Sequence, residues 1–224
     1  MKFFTGRRQK EGLAQPYLFN RIAILTIFLS TCLAACMAQP VGRAQSTLAL
    51  PTASAQSIPI TGSSASCNSP APLTMAVTEG PYFKAGSTEK TSLIEAGMKG
   101  TKLVLSGYVF TTECKPVVHA LLDFWQADAN GQYDNSGYTL RGHQSTDSAG
   151  HYQLTTIVPG LYTSRTEHIH VKVEAPGGPV LTTQLFFPGV AQNQSDGIFN
   201  SSLLMSITNN SDGEIAVFNF VISP

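Results

Sequence analysis

Residues 168–173, His168-Ile169-His170-Val171-Lys172-Val173, alternate without a break between polar and β-branched apolar side chains. A period of two marks a strand with one face in a core, whereas an amphipathic helix repeats every 3.6 residues. The neighbouring stretches carry the same message. Residues 102–110, 117–125 and 151–158 upstream, and 180–187, 203–207 and 214–222 downstream, are short runs rich in branched and aromatic side chains. Gly, Pro, Asn and Asp punctuate them around residues 111–116, 128–131, 147–150, 176–179 and 209–213, and these are turn signals. One short helix is expected near residues 91–98. The fold predicted is all-β: an antiparallel β-sandwich of prealbumin or immunoglobulin type, with short helical or irregular insertions.

That sandwich occupies residues 67–224, and the chain ahead of it has a different character. Lys and Arg total 14, as do Asp and Glu, but Lys2, Arg7, Arg8, Lys10 and Arg21 precede residue 22, with Glu11 the one acid among them. Without that beginning the remainder is mildly acidic and carries no basic stripe, which argues against a nucleic-acid partner. The basic start leads into an apolar run from Ile22 to Ala35, broken by Thr26, Ser30 and Thr31. Its length suits a signal peptide over residues 1–35 and falls short of the roughly 20 apolar residues of a spanning helix. Leu33-Ala34-Ala35-Cys36 resembles the lipobox of bacterial lipoproteins, so Cys36 is the expected lipidation site; the alternative is an ordinary secretory peptide cut after Ala38. Residues 36–66, rich in Ser, Ala, Thr, Gln and Pro with one charge at Arg43, are expected to form a disordered tether, because they cannot bury enough apolar surface to fold. The protein is therefore expected to be exported, lipid-anchored on a bacterial membrane facing the periplasm or the cell surface, or else secreted. The lipid would be its one membrane contact.

Cys67 and Cys114 remain for the exported domain. Such a pair most often forms a disulfide, here tying the incoming segment to the turn before the run at 117–125; two free thiols are the alternative. Closing a loop of that size contributes about 3–4 kcal/mol.

His168 and His170, two residues apart on one strand, project from the same face and supply half of a metal site. Alone the pair says little, since most His-x-His pairs on strands bind nothing. Its surroundings say more. Trp125-Gln126-Ala127-Asp128 leads to Gly131-Gln132-Tyr133; Arg141-Gly142, Gly150-His151-Tyr152 and Pro159-Gly160-Leu161-Tyr162 follow. Arg165 stands three residues before His168. Thr78-Glu79-Gly80-Pro81-Tyr82-Phe83 lies upstream and Leu181-Thr182-Thr183-Gln184 downstream. In this order the chain resembles the intradiol ring-cleavage dioxygenases, the family of protocatechuate 3,4-dioxygenase and catechol 1,2-dioxygenase, over most of residues 74–222.

The resemblance implies a non-haem Fe(III) held by Tyr133, Tyr162, His168 and His170, with a catechol-type diol and O2 as substrates. The product would be a cis,cis-muconate-type diacid. It implies Tyr162 as the exchangeable ligand, Tyr133 as the permanent one, Arg165 as the cation that stabilises charge on the substrate, and Gln184 as a polar residue near the iron. Gly80, Pro81 and Tyr82 would line the pocket mouth and Trp125 a wall. The ligand chemistry is coherent. Ferric iron favours anionic oxygen and accepts imidazole, and a bound cation can deprotonate a phenol whose ordinary pKa is about 10.

Each assignment has a plainer alternative. The tyrosines could be turn and packing residues, Arg165 could simply pair with Glu167 or another acid, and Tyr82 and Trp125 could be packing aromatics. His119, His143 and His151 are not assigned to metal. The segment between Tyr162 and Arg165, Thr163-Ser164, is shorter than in the intracellular relatives, and no helical domain is predicted ahead of the sandwich, so the likeness is to exported single-domain members. Oligomeric state stays open, a homo-oligomer included. Two rival functions remain: a transthyretin-like secreted binding domain without catalysis, and a zinc hydrolase built on His168 and His170, which lacks an evident acidic partner.

Overall fold

A computed structural model of the chain describes residues 66–224. The signal peptide, Cys36 and nearly all of the tether lie outside the described residues.

Among the described residues nine strands form two sheets. They are β1 (Lys102–Phe110), β2 (Leu121–Trp125), β3 (Arg141–Ser145), β4 (His151–Ile157), β5 (His168–Glu174), β6 (Val180–Phe186), β7 (Ser206–Asn210), β8 (Gly213–Val217) and β9 (Phe220–Val221). One sheet runs β4-β1-β8-β7, with β9 continuing beside β1; the other runs β3-β2-β5-β6. Leu103, Leu105 and Leu154 of the first sheet meet Leu122, Phe124, Ile169, Val171, Val173 and Leu185 of the second in one buried core. The expected sandwich is present. Its second sheet is antiparallel throughout, whereas β1 pairs in parallel with both β8 and β9.

Several local expectations change. The run from Val117 starts as a turn, with His119 at φ 57°, and becomes strand at Leu121. The run at 203–207 moves to 206–210, because Ser201–Leu203 forms a single 3-10 turn. The last run divides at Phe218-Asn219: Phe218 donates its N–H to Ser106 O, and Asn219 Oδ1 accepts the Tyr108 N–H. That bulge presses on Gly107, where a Cβ would lie 1.8 Å from Phe218 O.

The helix expected near residues 91–98 is absent, and the missed strand β3 explains why. Arg141-Gly142-His143-Gln144-Ser145 has no apolar side chain to announce a strand. Leu93, fully buried, fills the space that Gly142 leaves on the core side. The chain reaches that place extended: His143 N–H and O bond Thr88 O and Lys90 N–H, then Leu93 N–H donates to Thr155 O. Residues 88–93 thus cover the edges of β3 and β4, which would otherwise stand unpaired.

Cys67 and Cys114 form the expected disulfide. Their separation of 47 residues gives a loop-closure contribution of about 3–4 kcal/mol. A Cys67→Ser/Cys114→Ser variant is therefore expected to melt roughly 10 °C lower than the oxidised protein, measured by thermal unfolding.

Candidate metal centre

The outer face of the second sheet holds the site. On β5 the side chains of Ile169, Val171 and Val173 enter the core, which turns His168 and His170 to the opposite face. There both imidazoles are only 3% exposed: Gly80 passes beside His170, and Tyr133 and Phe186 flank His168. Their Nε2 atoms stand 3.1 Å apart. His168 Nδ1 is 2.6 Å from Thr166 O, an acceptor that fixes the Nδ1–H tautomer and leaves the Nε2 lone pair free.

Tyr133 meets this pair, and Tyr82 and Tyr162 gather around Tyr133. Tyr133 Oη lies 3.4 Å from His168 Nε2. The Tyr162 ring stands edge-on to Tyr133, centroids 5.6 Å apart, and its hydroxyl bonds that of Tyr82. Tyr82 stacks on Tyr133 at 4.4 Å. Among the described residues no three His, Cys, Asp or Glu side chains come together, so two imidazoles and phenol oxygens are the donors gathered here.

Two glycines bring the tyrosine-bearing turns together. A Cβ on Gly131, φ +75°, would lie 1.9 Å from Leu161 O, and one on Gly160 would lie 2.5 Å from Ala129 O. Gly160 N–H in turn donates to Asp128 O. The Gly-x-Tyr and Pro-Gly-x-Tyr elements are thus two halves of one backbone contact. Gly131→Ala is expected to destabilise the domain by about 2–4 kcal/mol, combining a left-handed backbone with overpacking against main chain, as read by chemical denaturation.

Asp134 shapes the loop after Tyr133. Its carboxylate accepts the N–H groups of Ser136, Gly137 and Thr139, with Gly137 the strongest of the bonds that hold it well below the usual carboxylate range. Its carbonyl accepts from Arg141, whose guanidinium also reaches Tyr82 O at 2.6 Å. A depressed carboxylate contributes stability that is fully present above its ordinary pKa near 4 and is lost as pH falls through the lower folded value. Asp134→Asn is therefore expected to melt lower than wild type at neutral pH, with the gap closing below about pH 4, as thermal melts across that range would show.

Burial sets the protonation of the centre. It pushes the His168 imidazole down to about 4. It also carries His170 well below its usual value, with smaller contributions from His168, Arg165 and Arg141. Both rings are neutral at physiological pH and able to ligate. Burial raises the Tyr133 phenol, so a nearby cation is needed to ionise it.

Arg165 follows Tyr162 in a tight turn, its N–H donating to Tyr162 O, with Thr163 at φ 48°. Its Nε donates to both oxygens of Asp196 and its Nη2 to Gln184 Oε1 at 2.6 Å. Gln184 Nε2 donates to Thr78 O. The partner of Arg165 is thus Asp196, 31 residues away, and not Glu167. Gly80 passes beside His170, where a Cβ would lie 3.4 Å from Cε1. Pro81 is exposed. Trp125, expected in the pocket wall, is buried and stacks on His170. His143 bonds Ser87 Oγ, and His151 stands 3.8 Å from Asp147.

Asp196, Asp134 and Thr166 were not legible as parts of the site. Arg141 belongs to the Arg141-Gly142 motif, which carries no evident role in the sequence. A Ser-Asp-Gly triplet such as Ser195-Asp196-Gly197 reads as an ordinary turn, and no local signal ties it to Arg165.

Comparison with known proteins finds dioxygenases. A family profile described as "Dioxygenase" matches residues 78–221. Catechol 1,2-dioxygenase 2 of Acinetobacter lwoffii is 33% identical over 137 residues, covering 50% of this chain and 50% of that enzyme. Among solved structures, the dioxygenase domain of a dioxygenase carbohydrate-binding protein fusion from the cellulolytic bacterium Streptomyces sp. SirexAA-E is 51% identical. It superposes with a TM-score of 0.66 over 67% of this chain and 98% of that one. The 3-chlorocatechol 1,2-dioxygenase of Rhodococcus opacus 1CP is 29% identical, with a TM-score of 0.63 over 66% of this chain and 71% of the other. The chain spans about half to three-fifths of the length of several curated relatives that it matches. With the profile covering well over half its residues, the chain belongs to the intradiol ring-cleavage dioxygenase family.

Proposed function

We propose that the protein is an iron(III)-dependent intradiol dioxygenase that opens a catechol-type diol between its two hydroxylated carbons with O2, giving a cis,cis-muconate-type diacid. The observation that carries this reading is the convergence of His168, His170 and Tyr133 on one buried point, with Tyr162 edge-on to Tyr133. The donor set fits ferric iron: two neutral imidazoles and two phenols that become anionic beside a cation match its preference for hard oxygen and for nitrogen. Tyr133, Tyr162, His168 and His170 would hold it. When bound, the iron supplies a Lewis acid that draws electron density from a bound catechol and opens its ring to attack by O2.

The remaining work falls to side chains. The Tyr162 oxygen, bonded to the hydroxyl of Tyr82, has a partner ready when its phenolate takes up a proton from the incoming diol and becomes a neutral phenol. Arg165 is held by Asp196 and Gln184 and places a fixed cation where negative charge grows on the substrate. The 78–90 segment excludes water above the imidazoles. It is pinned by Gln184 at Thr78 O, by Arg141 at Tyr82 O and by Ser87 on Asp123. An exported location is part of the same proposal; the Cys67–Cys114 disulfide supports it, since such bonds persist in oxidising compartments. Among the described residues no helix is long and apolar enough to cross a membrane.

The test is oxygen uptake by iron-loaded protein with catechol, hydroxyquinol and protocatechuate, followed by mass analysis of products formed under 18O2. Ring-opened diacids carrying both labelled atoms are expected. No uptake with any diol would leave the secreted binding domain as the better reading.

A further inference from the structure

The two histidines of the proposed centre are held in different ways. His168 has the Thr166 carbonyl on its Nδ1. His170 Nδ1 is buried and has no hydrogen-bond partner among the described residues. A ligating histidine ordinarily gives its second N–H to an acceptor, which sets the rotation of the ring. Something else must set it for His170.

Trp125 is the candidate. It is the cross-strand neighbour of His170 in the β2–β5 pair, and its indole lies face to face with the imidazole, centroids 4.7 Å apart and planes within 10°. Gly80 passes the Cε1 edge of the imidazole, and His168 meets it edge-on at 4.7 Å. The indole is itself backed. Phe83 packs against it at 4.9 Å, Lys172 Nζ sits 3.6 Å above the Phe83 ring, and Lys172 pairs with Glu79. Trp125 is 1% exposed, and its Nε1 has no hydrogen-bond partner either among the described residues. Two stacked rings, each with an unpaired buried N–H, are an unfavourable way to fill space, and an aliphatic side chain would fill it without that cost.

The geometry points to Trp125 as the positioning residue of His170: its stacked indole replaces the missing hydrogen bond, fixes the imidazole plane and keeps Nε2 aimed at the metal point. The inference rests on His170 being an iron ligand, and it moves Trp125 from the substrate wall to the support of the centre. A flat face in contact is the required property, so an aromatic replacement retains the function and a flexible one loses it.

The experiment loads wild type, Trp125→Phe, Trp125→Leu, Trp125→Met, Phe124→Leu and His170→Ala with iron. It follows loss of the visible band to a ferric chelator, beside the melting temperature of each metal-free protein. Phe124 points into the core from the same strand, so Phe124→Leu reports core damage alone. Trp125→Leu is expected to lose iron at least about 10-fold faster than Phe124→Leu, and Trp125→Phe to stay within about 3-fold of wild type, the scale of outer-shell support for a ligand. Should the leucine variant not fold, the methionine variant carries the same comparison. If His170→Ala loses iron while Trp125→Leu and Trp125→Met behave as Phe124→Leu, the positioning role is overturned. If His170→Ala holds iron as wild type does, the ligand reading falls and takes the inference with it.

Discussion

The His168→Ala variant is expected to come out of purification without iron, colourless and inactive on any catechol. His168 is the better anchored of the two imidazoles: Thr166 O fixes its tautomer, Tyr133 Oη stands 3.4 Å from its Nε2, and the ring is 3% exposed. Even outer-shell partners of ligating histidines are worth roughly 10–100-fold in metal affinity, so removal of the ligand should exceed that range. Iron content per chain, measured beside the visible spectrum, checks it. The fold should survive, because the side chain lies on the outer face of β5 and contributes nothing to the apolar core. Normal melting with lost iron is the expected pairing.

Arg165→Ala is expected to behave in the opposite way, keeping its iron and losing turnover. The guanidinium is anchored to Asp196 and Gln184 and is assigned to charge that develops during reaction. Removing a fixed donor of that kind typically lowers kcat by about 10²–10³. KM should change little, since the interaction strengthens as the reaction proceeds. Asp196→Asn, which keeps the arginine but loosens its anchor, should lower kcat in the same direction by roughly 10-fold. Steady-state kinetics at matched iron occupancy separates the two variants from His168→Ala. A rise in KM alone would mean that Arg165 only binds the diol.

How far the sequence reaches is clearest on β5 and β3. The unbroken alternation of His168 to Val173 identified a strand, its inward face and the paired imidazoles at once. Arg141 to Ser145 is equally a strand, yet a glycine and a glutamine occupy its core side, and the apolar bulk comes from Leu93, nearly fifty residues earlier in the chain. A strand completed by a distant side chain leaves no local period to detect. The site divides along the same line. Tyr133, Tyr162 and the histidines sit in short motifs, and Gly131 and Gly160 stand visibly beside them. Only the fold shows that those glycines touch each other's turns. Asp196 has no motif at all. It matters because the chain returns to Arg165 after 31 residues, and contacts of that range are set by topology.

In the proposed centre two phenols join two imidazoles around one ferric ion. Stepwise addition of iron(III) to metal-free wild type, Tyr133→Phe and Tyr162→Phe, followed by visible absorbance, tests it most directly, because phenolate-to-iron charge transfer gives colour that histidine ligands do not. Wild type is expected to bind a single equivalent with a visible band, and each tyrosine variant to show a weakened band. A wild type that stays colourless with iron bound, or tyrosine variants whose band matches that of wild type, would contradict it.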